Sequence, residues 1–302
     1  MLHAYKLLKE SLSKVTRKEE SILDAPRGPD LCPDVWEKNE NGSYTLTEAA
    51  ERAVAEACNM AFKEMSLEGV SVRIIGSITS NAYSDTSDID VHISADGIGE
   101  NEAEELNSAI RGLEYPSVGT HPIEVYVQSN MYQDLMSVGC YDFLEDEWLT
   151  GPEILPEGFS PFDEYYEDAI KHLGGTLDEI RITILKAYET ARTYCFGSLG
   201  DGKLRKALEN DLYGLAAKAK SLVDDLRAKR SELSSPKSEE EAEKMRESRE
   251  WKICDASMKL VGKFGYIDAL KAIAGFADDE VATTENFQVL LGKISDSISN
   301  KE

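Results

Sequence analysis

The chain has 302 residues, 41% of them hydrophobic, which is enough for one large domain or two ordinary domains with real cores. Its formal net charge of −24 makes extended duplex nucleic acid an improbable partner, because binding to phosphates depends on Lys and Arg. We expect a cytoplasmic protein with reduced thiols: no apolar run could span a membrane, the N-terminus lacks the apolar core of a secretory signal, and the five cysteines are scattered without a CxxC pair.

The first predicted elements are helical and irregular. Residues 1–17 have the periodicity of a short amphipathic helix, whereas residues 24–43 are rich in the turn formers Pro, Gly and Asn. Trp36, within the irregular segment, is expected to cover apolar surface, with base stacking as the alternative. Thr45 begins a capping-box pattern, which predicts a helix over residues 46–66.

Residues 72–93 carry the most informative pattern. An apolar run predicts a buried strand, a glycine–serine pair follows it at once, and a second apolar strand contains two aspartates. Because side chains alternate along a strand, Asp88, Asp90 and His92 are predicted to share one face, with the carboxylates about 7 Å apart. Asp is disfavoured in strands, and two hard oxygen donors at this spacing are what Mg²⁺ requires. The pattern therefore predicts a metal site.

The glycine–serine pair adds a phosphate site to the predicted carboxylates. Gly76 allows the backbone to approach a ligand closely, and Ser77 adds a hydroxyl donor. Gly-Ser, a ten-residue gap and then Asp-Ile-Asp on a strand resemble the DNA polymerase beta superfamily of nucleotidyltransferases. That superfamily usually has a third carboxylate on a later strand, and Glu124 in the strand predicted over 121–128 matches it. The resemblance covers roughly residues 46–150.

The resemblance implies a reaction and a set of site residues. Asp88, Asp90 and Glu124 would be catalytic and would hold two Mg²⁺ ions, with Mn²⁺ as the other candidate ion. The acceptor hydroxyl would attack the α-phosphorus of a nucleoside triphosphate and expel pyrophosphate, with no covalent enzyme intermediate. The implied nucleotide contacts are Gly76, Ser77, Ser80, Asn81 and Ser87.

One departure from the superfamily pattern opens an alternative function. Many members have a basic residue shortly after Gly-Ser, but residues 78–87 contain none, so the triphosphate must be neutralised elsewhere. The alternative is a catalytically weak or inactive nucleotidyltransferase fold that acts as a structural or virion-associated interaction protein. Three converging carboxylates oppose this alternative, since their mutual repulsion costs stability. A phosphohydrolase is a third possibility, which the Gly-Ser turn disfavours.

Shorter motifs resemble nucleotidyltransferase-like proteins of large tailed bacteriophages. They are LCPDVWEKNENGSYTLT (31–47), EVYVQ (124–128), GCY (139–141) and EWL (147–149) before Pro152. This resemblance implies a location in the host cytoplasm or in the virion. The acceptor remains open among an RNA 3′ end, a protein hydroxyl and a small molecule, and the acidic charge favours the last two.

The rest of the chain is predicted to be mainly helical. Residues 131–163 are rich in Gly and Pro and predict a covering loop or connector. Helices are predicted over 176–195, 203–233, 237–264, 266–274 and 284–298. The expected fold is α/β (α+β), with a small mixed-sheet nucleotidyltransferase core at 1–163 and an α-helical bundle domain at 164–302.

Overall fold

The computed structural model describes residues 28–65, 69–85, 87–95, 97–156, 161–197, 202–278 and 283–299. The chain divides into two compact units. The sheet unit contains the described residues up to 163 together with 234–251, and the helical unit contains 164–233 and the described residues from 252 onward. The helix predicted over 1–17 lies outside the described residues. The fold is mixed α/β, with a small mixed sheet and a helical C-terminal part, as predicted.

The sheet unit contains a two-stranded and a six-stranded sheet. The strands are β1 (Trp36–Lys38), β2 (Tyr44–Leu46), β3 (Val70–Ile75), β4 (Ile89–Ala95), β5 (Ser117–Val118), β6 (His121–Val127), β7 (Cys140–Asp142) and β8 (Glu147–Thr150). β1 pairs with β2, and the larger sheet has the order β5-β6-β4-β3-β7-β8. In this larger sheet β4 and β6 run parallel, and the other neighbouring strands are antiparallel.

Two helices cover one face of the larger sheet. They are α1 (Glu48–Glu64) and α2 (Glu100–Ile110), and their apolar residues share a core with alternate residues of β3, β4 and β6. On β4, Ile89, Val91 and Ile93 are fully buried, whereas Asp90 and His92 between them are partly exposed. This confirms the predicted alternation and leaves the polar face of β4 on the side of the sheet opposite the two helices.

The cap of α1 differs from the prediction. Thr47, not Thr45, is the N-cap, and its hydroxyl accepts a hydrogen bond from the backbone N–H of Ala50 at 3.2 Å. Thr45 lies inside β2, where it pairs with Glu37, so the helix begins only after the strand ends.

The loop or connector predicted over 131–163 has more structure than expected. It contains a 3₁₀ helix, Met131–Met136, and the short strands β7 and β8, and β7 extends the larger sheet by pairing with β3. Such short strands carry almost no periodicity, and here aromatic contacts hold them. Trp36 lies 5.1 Å from Tyr141 and 4.8 Å from Trp148 between ring centroids, which gives Trp36 the packing role expected for it.

The C-terminal part is built from helices. They are α3 (Pro161–Leu173), α4 (Gly175–Phe196), α5 (Gly202–Leu233), α6 (Glu239–Arg246), α7 (Arg249–Lys263), α8 (Tyr266–Gly275) and α9 (Thr284–Ser299). The helix predicted over 237–264 is two helices, because Ser248 accepts a hydrogen bond from the N–H of Trp251 and so caps a new helix. Among the described helices, none is both long and apolar enough to cross a bilayer.

A return segment, residues 234–251, belongs with the sheet although the sequence-based division placed it in the helical domain. Its start is held by two side chains next to or within the 3₁₀ helix Met131–Met136. Asn130 donates to the carbonyl of Pro236 at 3.0 Å, and Gln133 donates to the hydroxyl of Ser234 at 3.1 Å. Ser234 is 1% exposed, so these bonds are made in a protected environment.

Candidate metal centre

Three carboxylates converge on the open face of the sheet. Asp88 lies directly before β4, Asp90 lies on β4, and Glu124 lies on β6. One oxygen from each lies within 4.8 Å of the other two. Asp88 and Asp90 are partly buried and Glu124 is exposed, so the cluster is open to solvent on one side. The structure thus brings together the three residues that the sequence singled out as metal ligands.

The strand register explains this convergence. β4 and β6 are parallel neighbours, and Asp90 stands directly opposite Glu124. Paired residues on neighbouring strands project to the same face of a sheet, about 5 Å apart. Asp88 precedes Asp90 by two residues and therefore projects to that face as well.

A tyrosine hydroxyl also reaches the cluster. Tyr126 lies two residues after Glu124 on β6, and its hydroxyl donates a hydrogen bond to Glu124 Oε2. The pKa of Tyr126 is raised well above that of a free phenol, first by burial, then by this bond, and then by the negative charges of Glu124, Asp90 and Asp88. The negative charges of all three carboxylates therefore make the Tyr126 phenol harder to ionise.

The glycine of the Gly-Ser pair is fixed against the cluster. Gly76 has φ 89° and ψ −168°, a conformation that side-chain-bearing residues avoid. A Cβ atom added there would overlap Asp90 Oδ2. The backbone N–H of Gly76 donates to the hydroxyl of Ser137 at 3.2 Å. Only glycine allows this turn to lie so close to the carboxylate.

The predicted serine contacts form a hydroxyl cluster beside Asp88. Ser77 donates to the Ser87 hydroxyl at 2.9 Å, and the backbone N–H of Ser84 donates to the same oxygen at 2.8 Å. Ser77 is partly exposed, and Ser87 is 9% exposed and directly precedes Asp88. Ser77 follows Gly76 and Ser87 precedes Asp88, so this hydroxyl pair joins the Gly-Ser turn to the start of the aspartate strand.

Two other residues predicted to contact nucleotide have their polar groups engaged elsewhere. Ser80 is 3% exposed, and its hydroxyl donates to the carbonyl of Ser77. Asn81 is fully buried, and its amide binds the carbonyl of Gly28 and both the N–H and the carbonyl of Leu155. These hydrogen bonds of Ser80 and Asn81 fix the segment after the Gly-Ser turn against Ser77, Gly28 and Leu155.

Sequence reasoning missed a second polar cluster on the same face. His92 Nδ1 lies 2.7 Å from Asp134 Oδ1, and Arg73 Nη1 lies 3.8 Å from Asp134 Oδ2. All three side chains are largely buried, and Arg73 also donates to the carbonyl of Met131. The sequence offered one sign of this cluster: Arg73 interrupts the apolar run of β3. In the antiparallel register, Arg73 stands opposite His92. His92, which was predicted to share a face with Asp88 and Asp90, thus serves as a partner of Asp134.

The chemistry of the carboxylate cluster fits Mg²⁺ or Mn²⁺. The donors are all hard oxygens, which these ions prefer over the sulfur and nitrogen ligands typical of zinc. Ligands of one Mg²⁺ lie about 2.1 Å from the ion, so modest side-chain rotations would bring Asp88, Asp90 and Glu124 onto a shared cation. Between residues 64 and 170 the sequence contains two cationic side chains besides histidine, Arg73 and Arg111. Arg73 is buried against Asp134, so a divalent cation held by the three carboxylates would supply positive charge that this side chain does not.

The chain matches no protein-family model, no curated protein and no solved structure. Any function must therefore be argued from the geometry of the three carboxylates and the adjoining glycine turn.

Proposed function

We propose that this protein is a Mg²⁺-dependent nucleotidyltransferase that moves a nucleoside monophosphate from a triphosphate to an acceptor hydroxyl and releases pyrophosphate. The observation that carries the proposal is the convergence of Asp88, Asp90 and Glu124 from two parallel strands, within 4.8 Å of one another. In this proposal the six-stranded sheet with α1 and α2 is a nucleotidyltransferase core. The resemblance of its Gly-Ser and Asp-Ile-Asp motifs to the DNA polymerase beta superfamily supports this description.

Each side chain of the site has a distinct task in this reaction. Asp88 and Asp90 would bind divalent cations, which would offset the negative charge of the triphosphate and of the entering and leaving oxygens. Glu124 would orient the acceptor hydroxyl and accept its proton. Ser77 is partly exposed, and its hydroxyl, which donates to Ser87 in this structure, would turn to donate to a phosphate oxygen, while the buried Ser87 would hold the turn in place.

The scarcity of cationic side chains shapes how nucleotide would bind. A triphosphate approaching three carboxylates meets strong repulsion unless cations accompany it. Arg73 cannot supply that charge, because its side chain is 7% exposed and faces Asp134. Nucleotide binding is therefore expected to depend on divalent metal.

A second candidate function rests on the same scarcity. Without a basic residue after the Gly-Ser pair, the fold could act as an interaction protein with little or no catalysis. The cost of holding three like charges together argues against a purely structural role. Catalysis is therefore the leading proposal.

The decisive experiment measures transfer of radiolabel from each α-³²P-labelled nucleoside triphosphate with Mg²⁺ or Mn²⁺. The acceptors are the protein itself, RNA and a protein extract, and pyrophosphate release is measured in parallel. Asp88→Asn/Asp90→Asn removes two carboxylates with little change of shape. Glu37→Gln/Glu40→Gln removes the same charge from the exposed β1–β2 hairpin and is the matched control.

The proposal predicts transfer by the wild type and the control variant and none by the aspartate variant. Absence of transfer with every nucleotide and acceptor, together with no metal-dependent nucleotide binding by calorimetry, would refute catalysis and favour the interaction protein. Release of inorganic phosphate in place of pyrophosphate would indicate a phosphohydrolase.

A further inference from the structure

The Tyr126 hydroxyl lies at the carboxylate cluster, in contact with Glu124. It donates a hydrogen bond to Glu124 Oε2, and the residue is 41% exposed. The ring is braced by His92, whose ring lies edge-on at 5.7 Å between centroids. Tyr126 thus presents a hydroxyl at the carboxylate cluster while part of its ring faces solvent.

An acceptor hydroxyl in the proposed reaction needs to contact Glu124, which orients it and takes its proton. The Tyr126 hydroxyl already makes that contact within the same strand. An acceptor tethered in this way is present at high effective concentration and needs no separate binding site.

We propose that Tyr126 is itself an acceptor, so that the protein attaches a nucleoside monophosphate to its own Tyr126 hydroxyl. This inference rests on the proposed nucleotidyltransferase activity. The Tyr126 oxygen forms a bond with the α-phosphorus of the bound nucleoside triphosphate. The bond from the α-phosphorus to the oxygen bridging to the β-phosphorus breaks, and pyrophosphate leaves with that electron pair. The hydroxyl proton passes to Glu124 Oε2, and the product is a phosphodiester between Tyr126 and the nucleoside.

Self-modification would stop after one nucleotide has been attached to each chain. The attached nucleotide consumes the hydroxyl and lies over Glu124, so each molecule is modified once and its site is then occupied. The expected stoichiometry is therefore one nucleotide per chain, with loss of metal-dependent binding of further nucleoside triphosphate.

The first test is mass spectrometry of the full chain after incubation with Mn²⁺ or Mg²⁺ and each nucleoside triphosphate in turn. Trypsin is unsuitable, because the sequence has no Lys or Arg between Arg111 and Lys171. Cleavage after glutamates releases residues 125–145, which include Tyr126, Tyr132 and Tyr141. Tandem mass spectrometry then assigns the modified residue among the three.

The expected result is one nucleoside monophosphate on Tyr126 of the wild type. Tyr126→Phe keeps the ring and removes the acceptor oxygen, so it should carry no label. Tyr132→Phe removes a hydroxyl from the neighbouring 3₁₀ helix and is the matched control, which should be labelled as the wild type is. Thermal melts of both variants test whether each is folded.

A second measurement does not depend on turnover. In protein labelled with ¹³C in the tyrosine rings, Mn²⁺ broadens the resonances of rings close to the bound ion. The Tyr126 resonance, assigned by its absence in Tyr126→Phe, should broaden at the lowest Mn²⁺ concentration. If it broadens no earlier than the other tyrosines, Tyr126 does not lie beside the metal and the inference fails.

The outcomes separate this inference from the function on which it rests. Pyrophosphate release with transfer to an added acceptor, but no modification of Tyr126, overturns self-modification and leaves the nucleotidyltransferase in place. Equal labelling of Tyr126→Phe and wild type likewise overturns it, since another residue is then the acceptor. No pyrophosphate release with any nucleotide or acceptor overturns both.

Discussion

Replacement of Gly76 by alanine tests whether the Gly-Ser turn and the carboxylates form one unit. Gly76 adopts φ 89° and ψ −168°, and for other residues such a conformation costs about 1–3 kcal/mol. The added Cβ would also overlap Asp90 Oδ2, so the carboxylate must move. We therefore expect the free energy of unfolding to fall by about 1–3 kcal/mol and the affinity for Mn²⁺ to fall at least roughly tenfold, the equivalent of about 1.4 kcal/mol.

The assays are urea denaturation of the metal-free protein and calorimetric titration with Mn²⁺. Gly42→Ala is the matched control, since Gly42 has φ 84° but nothing within 4 Å of the added Cβ. It should lose about 1 kcal/mol of stability and bind Mn²⁺ as the wild type does. If Gly76→Ala loses stability but keeps its Mn²⁺ affinity, Asp90 is not a metal ligand held in place by this contact, and the reasoning is refuted.

Three further changes have definite expected outcomes. Asp90→Asn removes one of three crowded charges, so the metal-free protein should gain about 1 kcal/mol of stability. We expect Mg²⁺ to raise the melting temperature of the wild type and not that of Asp90→Asn, and an equal rise in both would contradict the metal site. Trp36→Phe removes the indole Nε1–H, which donates to the carbonyl of Ile78 at 2.8 Å. The free energy of unfolding, measured by urea titration, should fall by about 1–3 kcal/mol. An unchanged free energy would mean that water replaces the lost hydrogen bond. Burial raises the pKa of Cys58 and of Cys140 from 9.0 to about 12. Because the unfolded thiols ionise first, stability should be intact below pH 9.0 and fall as the pH rises towards 12, with a smaller fall in the Cys58→Ala/Cys140→Ala variant.

The sequence was most informative where one face of a strand is apolar. With a side-chain period of two, an apolar face on β4 leaves one orientation for Asp88 and Asp90. The same argument on β6 places Glu124, and the parallel register then sets it opposite Asp90. Helices α4 and α5 were likewise predicted nearly to their ends, because long apolar stripes have a strong 3.6-residue period.

The sequence was least informative about polar groups whose partners lie far along the chain. Asn81 was predicted to contact nucleotide as a neighbour of the motif, but its amide binds Leu155, 74 residues away. Asp134 pairs with His92 across 42 residues, and neither local pattern indicates the other. Short strands such as β7 also escaped prediction, because three residues are too few to show a period and their stability comes from neighbouring aromatic rings.

The return segment at 234–251 also bears on how the chain can be divided. The polypeptide passes from one unit to the other near residues 163, 233 and 251, so a single cut does not separate the sheet from the helices. A protein ending at residue 163 would leave Asn130 and Gln133 without the acceptors that Pro236 and Ser234 provide. The neighbouring 3₁₀ helix also supplies Asp134, the partner of Arg73 and His92 on the same face of the sheet as the carboxylates. Such a truncated protein would therefore be a poor substitute for the full chain in any assay of the candidate metal centre, because the deletion would remove the acceptors that hold the 3₁₀ helix carrying Asp134.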